Sequence, residues 1–165
     1  MNGHVDPVAA HDVAASYTDA PTTTRDPLAA AAYARLVTES DQIFRHVTAP
    51  DRLDRVHIAF TTCREPYANA VELISSVRHD RLLEVTTVAT EDDGRHPLMG
   101  NDRGGAYDRF RGVHDVLGHA RLQLGFDRDS EFAVWRSQEP FHGPLARRAL
   151  ATELHGRHSV LWTSG

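Results

Sequence analysis

Lysine is absent from this chain of 165 residues, and all 18 of its basic residues are arginine. The chain also lacks any excess of basic charge, because 23 acidic residues give it a formal net charge of -5. Proteins that bind DNA or RNA normally carry a basic surface that neutralises phosphates. The composition therefore argues against a nucleic acid as a partner.

Cysteine is nearly absent, since Cys63 is the only one. A single cysteine excludes an internal disulfide and any zinc or iron–sulfur site built from several thiolates, which favours a cytoplasmic location. Met1–Ala20 lacks the basic start and apolar run of a secretory signal, and no run of about 18 apolar residues occurs. We therefore expect neither export by that route nor insertion into a membrane.

Length and composition predict one ordinary domain, since domains typically hold about 100 to 200 residues. Residues 1–26 mix Asp, Thr, Pro, Ala and Gly with little apolar periodicity, and we expect a partly ordered leader there. Asp26 and Pro27 are typical of a helix N-cap and first helical position. A single catalytic domain is therefore predicted over 27–165, opening with a helix that ends near 46–50.

The predicted domain is mostly helical with a small β element, an α+β fold. Val56–Thr61 and Leu82–Val88 favour strands, and Tyr67–Arg78 between them favours a helix. The turn-rich stretch Glu91–Gly105 predicts a surface loop, of which Arg95–Gly105 is a candidate lid. Three more helices are predicted, over Tyr107–Leu124, Asp129–Gln138 and Pro144–His155. Four aromatic residues are expected in the core: Phe110, Phe126, Phe132 and Trp135.

Two of the 11 histidines, His114 and His119, stand five positions apart with Gly118 between them. On a regular α-helix this spacing turns the two side chains about 140° apart, whereas a four-residue spacing leaves them about 40° apart. A single π-type turn, loosened by Gly118, would bring the two imidazoles into line. The pair is therefore predicted to bind a catalytic metal, with Asp115 as an acceptor beside it or a solvated residue.

A site with two histidines needs a third ligand, and Glu153 is our choice because a carboxylate on one helix can reach imidazoles on another. Two histidines and one carboxylate leave open positions on the metal, which suits a non-heme Fe(II) that activates dioxygen. Glu131 is the main alternative ligand, and its ordinary role would be that of a first-turn acid. The remaining candidates, as ligands or as residues beside the site, are Glu139, His142, His155 and His158.

The run His114-Asp115-Val116-Leu117-Gly118-His119 resembles the His-Asp/Glu-x-x-Gly-His motif of the pterin-dependent aromatic amino acid hydroxylases. Leu145-Ala146-Arg147 and Thr152-Glu153-Leu154 are similar to the segment that carries the third iron ligand of that family. The resemblance implies that His114, His119 and Glu153 bind iron, and it adds a pterin as a cofactor to consider. Phe110–Thr163 also resembles small uncharacterised proteins of actinobacteria and of phage or mobile-element polyproteins, a likeness that implies no activity.

These observations predict a mononuclear non-heme iron oxygenase of the hydroxylase type, acting with O2 on a small, amino-acid-like substrate. Arg64 and Arg78 are candidates for clamping a substrate carboxylate. Two other functions stay open. A zinc-dependent hydrolase could use the same ligands, with Glu131 or Asp115 as the base. In a non-catalytic binding module the histidines would be structural. The oligomeric state is not predicted.

Overall fold

A computed structural model gives the fold, and it describes Asp6, Ala9 and residues 11–15, 26–90, 96–157 and 159–160. Residues 11–15 of the predicted leader are helical, and Ala14 is buried. His158 and Arg95 lie outside the described residues. The division of the chain at 26 stays a prediction.

The first long helix, α1, spans Pro27–Val47 and begins as its sequence predicts. The Asp26 side chain accepts a hydrogen bond from the Leu28 N–H at 2.9 Å, and Pro27 needs no backbone donor in the first turn. One face of α1 is buried, with Leu36 completely enclosed. At its other end Thr48 caps the helix by donating to the Phe44 carbonyl at 2.8 Å.

A parallel pair of strands follows, β1 at His57–Thr61 and β2 at Leu82–Thr86. Parallel neighbours need a crossover connection, and here it is helix α2, Ala70–Ser75, continued by the π-helical segment Ser76–Asp80. Both predicted strands and the helix between them are confirmed, although β2 ends at Thr86 and 88–90 form a 3-10 turn instead.

Helix α3, Ala106–His114, continues directly into the π-helical segment Asp115–Ala120. The buried Asp108 fixes the start of α3, because its carboxylate accepts from Thr87 Oγ1 at 2.6 Å and from the Val88 N–H at 2.9 Å. Helix α4 spans Arg128–Gln138, and helix α5, Pro144–Leu150, runs into a further π-helical segment at Ala151–Gly156. The three predicted C-terminal helices are therefore confirmed, with π segments in two of them.

Buried apolar side chains form two clusters that position these elements. The first joins α1, α3 and α5 through residues such as Leu36, Phe110 and Leu150. The second joins the sheet to the π segment 115–120 through Val116 and Ala120. The predicted class, a mostly helical α+β domain, is confirmed. No helix in the described part of the chain has both the length and the apolar character needed to cross a bilayer.

Two expectations, one of a surface loop and one of a core aromatic residue, need correction. Met99 is buried in the first cluster, so the stretch 96–105 is anchored rather than lying wholly on the surface. Phe126 is 42% exposed, because it lies in the turn between the π segment 115–120 and α4. Phe110 is buried as expected, whereas Phe132 and Trp135 are half-buried, with Trp135 packed against the first cluster.

Candidate metal centre

The π-helical segment brings the two histidines of the motif together. His114 is the last residue of α3, and His119 is the fifth residue of the π segment Asp115–Ala120. Their Nε2 atoms are 3.1 Å apart, and both side chains are buried. An i to i+5 repeat places such residues nearly above one another, as the sequence predicts. The candidate metal site thus begins with a pair of imidazoles that face the same point.

Gly118 matters for packing rather than for flexibility. A Cβ at this position would lie 2.3 Å from Val134 Cγ1 of α4 and 3.2 Å from Gln138 Nε2. Only a residue without a side chain lets the π segment approach α4 so closely. This approach carries His119 towards the carboxylate that α4 supplies.

Glu131, in the first turn of α4, supplies that carboxylate. Its Oε2 lies 3.4 Å from His114 Nε2, and its Oε1 lies 3.4 Å from His119 Nε2. Asp127 fixes the start of α4 by accepting from the Ser130 N–H at 3.1 Å and from Ser130 Oγ at 2.6 Å. The predicted alternative ligand is therefore in contact with both imidazoles.

Asp115 completes the cluster, because one ligand atom each from His114, Asp115 and His119 can be chosen with all three within 4.8 Å of one another. The residue is half-buried, but enough protein surrounds its carboxyl for burial to raise the pKa of Asp115, against the lowering effect of the nearby His114 and His119. A proton therefore competes more strongly with a metal for Asp115 than for an exposed aspartate.

Hydrogen bonds on the far side of the rings orient the imidazoles. His119 Nδ1 lies 3.2 Å from the Leu124 carbonyl, which can only accept, so Nδ1 carries the proton and Nε2 keeps its lone pair in the neutral ring. Gln138 Nε2 donates to the His114 carbonyl at 3.2 Å and lies 3.4 Å from His114 Nδ1. Helix α4 thus holds the first ring and the Leu124 turn holds the second.

The electrostatics favour a cation at this point. Burial alone would lower the pKa of His119, but the hydrogen bond and negative charge of Glu131, together with Asp115, raise it above its ordinary value. A raised histidine pKa means that the surroundings attract positive charge. A metal ion would satisfy the same attraction and displace the proton.

The separations within the cluster also fit one metal ion. Two ligand atoms that each lie about 2.1 Å from a metal are about 3.0 Å apart in octahedral and about 3.4 Å apart in tetrahedral coordination. The two imidazole nitrogens are 3.1 Å apart, and each lies 3.4 Å from a Glu131 oxygen. Two nitrogens and a carboxylate are donors that iron and zinc both accept.

Glu153, our first choice from the sequence, contacts a different group of residues. Its Oε1 accepts from Tyr33 Oη at 2.5 Å and lies 2.9 Å from His96 Nε2. Burial raises the pKa of Glu153, but the hydrogen bonds from His96 and Tyr33 outweigh burial and hold it below the ordinary value. The assignment of Glu153 as a metal ligand stays a prediction.

The other candidate ligands have contacts of their own. His155 stacks on Trp135 with ring centroids 4.6 Å apart, and burial lowers its pKa. His142 is buried 3.4 Å from Glu39. Glu139 contacts Arg136. His158 lies outside the described residues.

Neither arginine proposed as a substrate clamp contacts the histidine pair among the residues that the structure describes. Arg64 is exposed in the turn after β1, where its carbonyl accepts from Thr86 Oγ1 at 3.2 Å. Arg78 is exposed on the π segment after α2 and lines a separate cleft. Their role as a clamp stays a prediction.

Sequence reasoning missed Gln138, His96 and the position of Phe126. The Phe126 ring lies edge-on to the His119 imidazole, with centroids 4.9 Å apart, and covers part of it. One signal could have found Gln138, because it stands seven positions after Glu131, two helical turns along the same face. His96 carries no such signal among 11 histidines.

No protein-family model matches this chain, and no curated protein or solved structure matches it either.

Proposed function

We propose that this protein is a metalloenzyme in which His114, His119 and Glu131 hold one divalent metal ion. We propose further that the ion is Fe(II), which supplies the capacity to activate dioxygen for the oxidation of a small molecule. Glu153 is the alternative third ligand. The single observation that carries the proposal is the convergence of two imidazole nitrogens and one carboxylate, separated by 3.1 to 3.4 Å, at a buried point.

Glu131 is a better third ligand than Asp115 because of their surroundings. The Glu131 carboxylate spans both imidazoles, and its charge raises the pKa of His119. The pKa of Asp115 is raised by burial, so a proton is lost from it at greater cost. Asp115 then serves to take and return a proton beside the metal rather than to bind it.

The remaining contacts keep the two rings in place and limit the access of water. The Leu124 carbonyl orients the His119 ring from behind, which favours the Nε2 lone pair of His119 pointing at the common centre, and Gln138 lies against the far side of the His114 ring. Phe126 covers one edge of His119. A shielded metal site protects reactive oxygen chemistry from side reactions with solvent.

A zinc hydrolase is the second candidate, and Asp115 is the observation in its favour. Zn²⁺ accepts the same ligands and would lower the pKa of a bound water. Burial raises the pKa of the Asp115 carboxyl, so it would take up a proton from that water more readily than an exposed aspartate, as a general base does. The identity of the metal separates the two candidates.

The test is elemental analysis of the full chain purified without oxygen, compared with four single variants. We expect about one iron per chain in the parent, and loss of most of it in His119→Gln and in Glu131→Gln. Asp115→Asn should keep the metal and lose turnover. Glu153→Gln is the matched control, since it removes a buried carboxylate that contacts Tyr33 and His96.

The outcomes are distinct. Loss of iron in Glu153→Gln with full retention in Glu131→Gln would overturn Glu131 as the ligand and support Glu153. If the parent holds about one zinc per chain and consumes no oxygen, the oxygenase proposal is wrong and the hydrolase proposal is supported. Absence of any bound metal in the parent, even after dialysis against Fe(II) or Zn²⁺, would overturn the metalloenzyme and favour a binding module.

A further inference from the structure

A concave site lies away from the candidate metal centre. It is a cleft of about 880 Å³, bounded by the end of α1, the turn after it, the π segment 76–80 and the π segment 115–120. Small-molecule sites typically enclose about 300 to 1,000 Å³. We call it the arginine cleft after the residues described next.

Four arginines line the arginine cleft: Arg52, Arg78, Arg81 and Arg121. Among the described residues, one acidic residue, Asp54, also lines it, so those residues give the cleft three more positive than negative charges, although the whole chain has a formal net charge of -5. A concave surface with charge of one sign concentrates ligands of the opposite sign. The local excess therefore indicates an anionic ligand.

The four arginines differ in whether their guanidinium groups already have partners in the protein. Arg52 donates to Asp54 at 2.8 Å, and its Nη1 lies 2.9 Å from His46 Nε2, so its position is fixed. Within the described residues, the side chains of Arg78, Arg81 and Arg121 make no hydrogen bond and no ion pair. The charge of Arg81 helps to lower the pKa of Asp54 without a direct hydrogen bond, so the guanidinium of Arg81, like those of Arg78 and Arg121, can still donate to an anion.

The floor of the arginine cleft is apolar. It includes Val47, Val56, Val77 and Val116, all buried members of the second core cluster. Phe141, 48% exposed, stands at the edge as an aromatic surface. A ligand that fits must combine anionic oxygens for the arginines with an apolar or aromatic body for the floor and for Phe141.

The arginine cleft and the metal centre lie on different faces of the same π segment. Val116, Leu117 and Ala120 line the cleft. Gly118 packs against Val134 of α4, and His119 faces Glu131. None of His114, His119 and Glu131 lines the cleft, so we expect a ligand there to bind whether or not the metal is present.

We propose that the arginine cleft binds an organic phosphate, a small molecule with an aromatic body and a diphosphate group. A single carboxylate is satisfied by one guanidinium fork, whereas a diphosphate offers enough oxygens for three. The apolar floor and Phe141 hold the body of the ligand.

Calorimetric titration of the full chain with ADP, pyrophosphate, adenosine and citrate tests this proposal. We expect ADP to bind most tightly, pyrophosphate more weakly, and adenosine and citrate at least tenfold more weakly than ADP. Arg78→Gln and Arg81→Gln should each weaken ADP binding about tenfold. Arg148→Gln, an exposed arginine on α5 away from the cleft, removes the same charge and should leave the affinity for ADP unchanged.

Three results would overturn the proposal: no binding of ADP or pyrophosphate at millimolar concentration, equal weakening by Arg148→Gln, or citrate binding as tightly as ADP. Arg78, Arg81 and Arg148 are exposed, so we expect all three variants to fold, and circular dichroism checks that they do. The metal centre is not involved, so His119→Gln should bind ADP as the parent does.

Discussion

A methyl group at position 118 has no room in this fold. Its carbon would lie 2.3 Å from Val134 Cγ1, well inside contact distance. Gly118→Ala must therefore push the π segment away from α4, and we expect a loss of about 1 to 3 kcal/mol in the free energy of unfolding. The affinity for metal should fall as well, because the same shift separates His119 from Glu131. Urea unfolding and metal titration measure the two effects.

The control for this prediction is the double variant that carries both Gly118→Ala and Val134→Ala. The second substitution removes the atoms that the new methyl would strike, so it should restore part of the lost stability and metal affinity in a double-mutant cycle. If Gly118→Ala alone leaves both quantities unchanged, then the close approach of the two helices is not what holds the site together.

His96 shows how one side chain can hold a whole segment. Its Nδ1 accepts from the Leu98 N–H at 3.1 Å, so the ring proton is on Nε2 and is donated to Glu153 at 2.9 Å. We expect His96→Ala to cost about 2 kcal/mol, because it removes a hydrogen bond to a buried carboxylate. Amide exchange in 96–105 should accelerate, which hydrogen-exchange mass spectrometry measures.

The conservative variant His96→Gln separates the effect of the lost hydrogen bond from the effect of the lost side-chain volume. His96→Gln can donate from its amide to Glu153 and should slow the exchange of 96–105 relative to His96→Ala. Equal protection of this stretch in the parent and in His96→Ala would contradict the role of His96 as its anchor.

At the level of elements, local signals predicted the fold well. The Asp26-Pro27 cap, the helix between two strands and the five-residue histidine spacing all depend on neighbouring residues, and the structure confirms each of them. The contacts of Glu131 and Glu153 depend on how distant helices pack, which no local pattern encodes. Leu150 and Leu154 face the first cluster, and this orientation of the last helix directs Glu153 to Tyr33.

At the scale of the whole molecule, we expect metal binding to raise the free energy of unfolding. A ligand that binds only the folded state adds about 2.7 kcal/mol at a hundredfold excess over its Kd. For a chain of this size that corresponds to a rise of about 5 to 10 °C in Tm. We expect Fe(II) or Zn²⁺ to raise the Tm of the parent and a chelator to reverse it, whereas the Tm of His119→Gln should not respond. A parent Tm that ignores both metal and chelator would contradict the site.

Acid should weaken the fold partly through Glu39. Burial would raise the pKa of Glu39, but the Gly143 N–H at 2.9 Å and Arg35 at 2.7 Å hold it below its ordinary value of 4.5. A depressed folded-state pKa contributes stability above about pH 4.5 that is lost as the pH falls through the folded value. The difference in unfolding free energy between the parent and Glu39→Gln should therefore be larger at pH 7 than at pH 3.5, by urea unfolding at both. A difference independent of pH would show that Glu39 acts by packing alone.

The π segment 115–120 has a consequence for changes in chain length. A π turn takes up one more residue than an α turn, while the helical turns before and after it keep their faces. Deletion of one residue between the histidines would leave them four apart, and a regular α-helix would then carry both on one side. The extra residue between the histidines and the wider π turn therefore offset each other, so that both side chains stay on one side of the helix. In this stretch the chain tolerates a length change only together with a change of helix type.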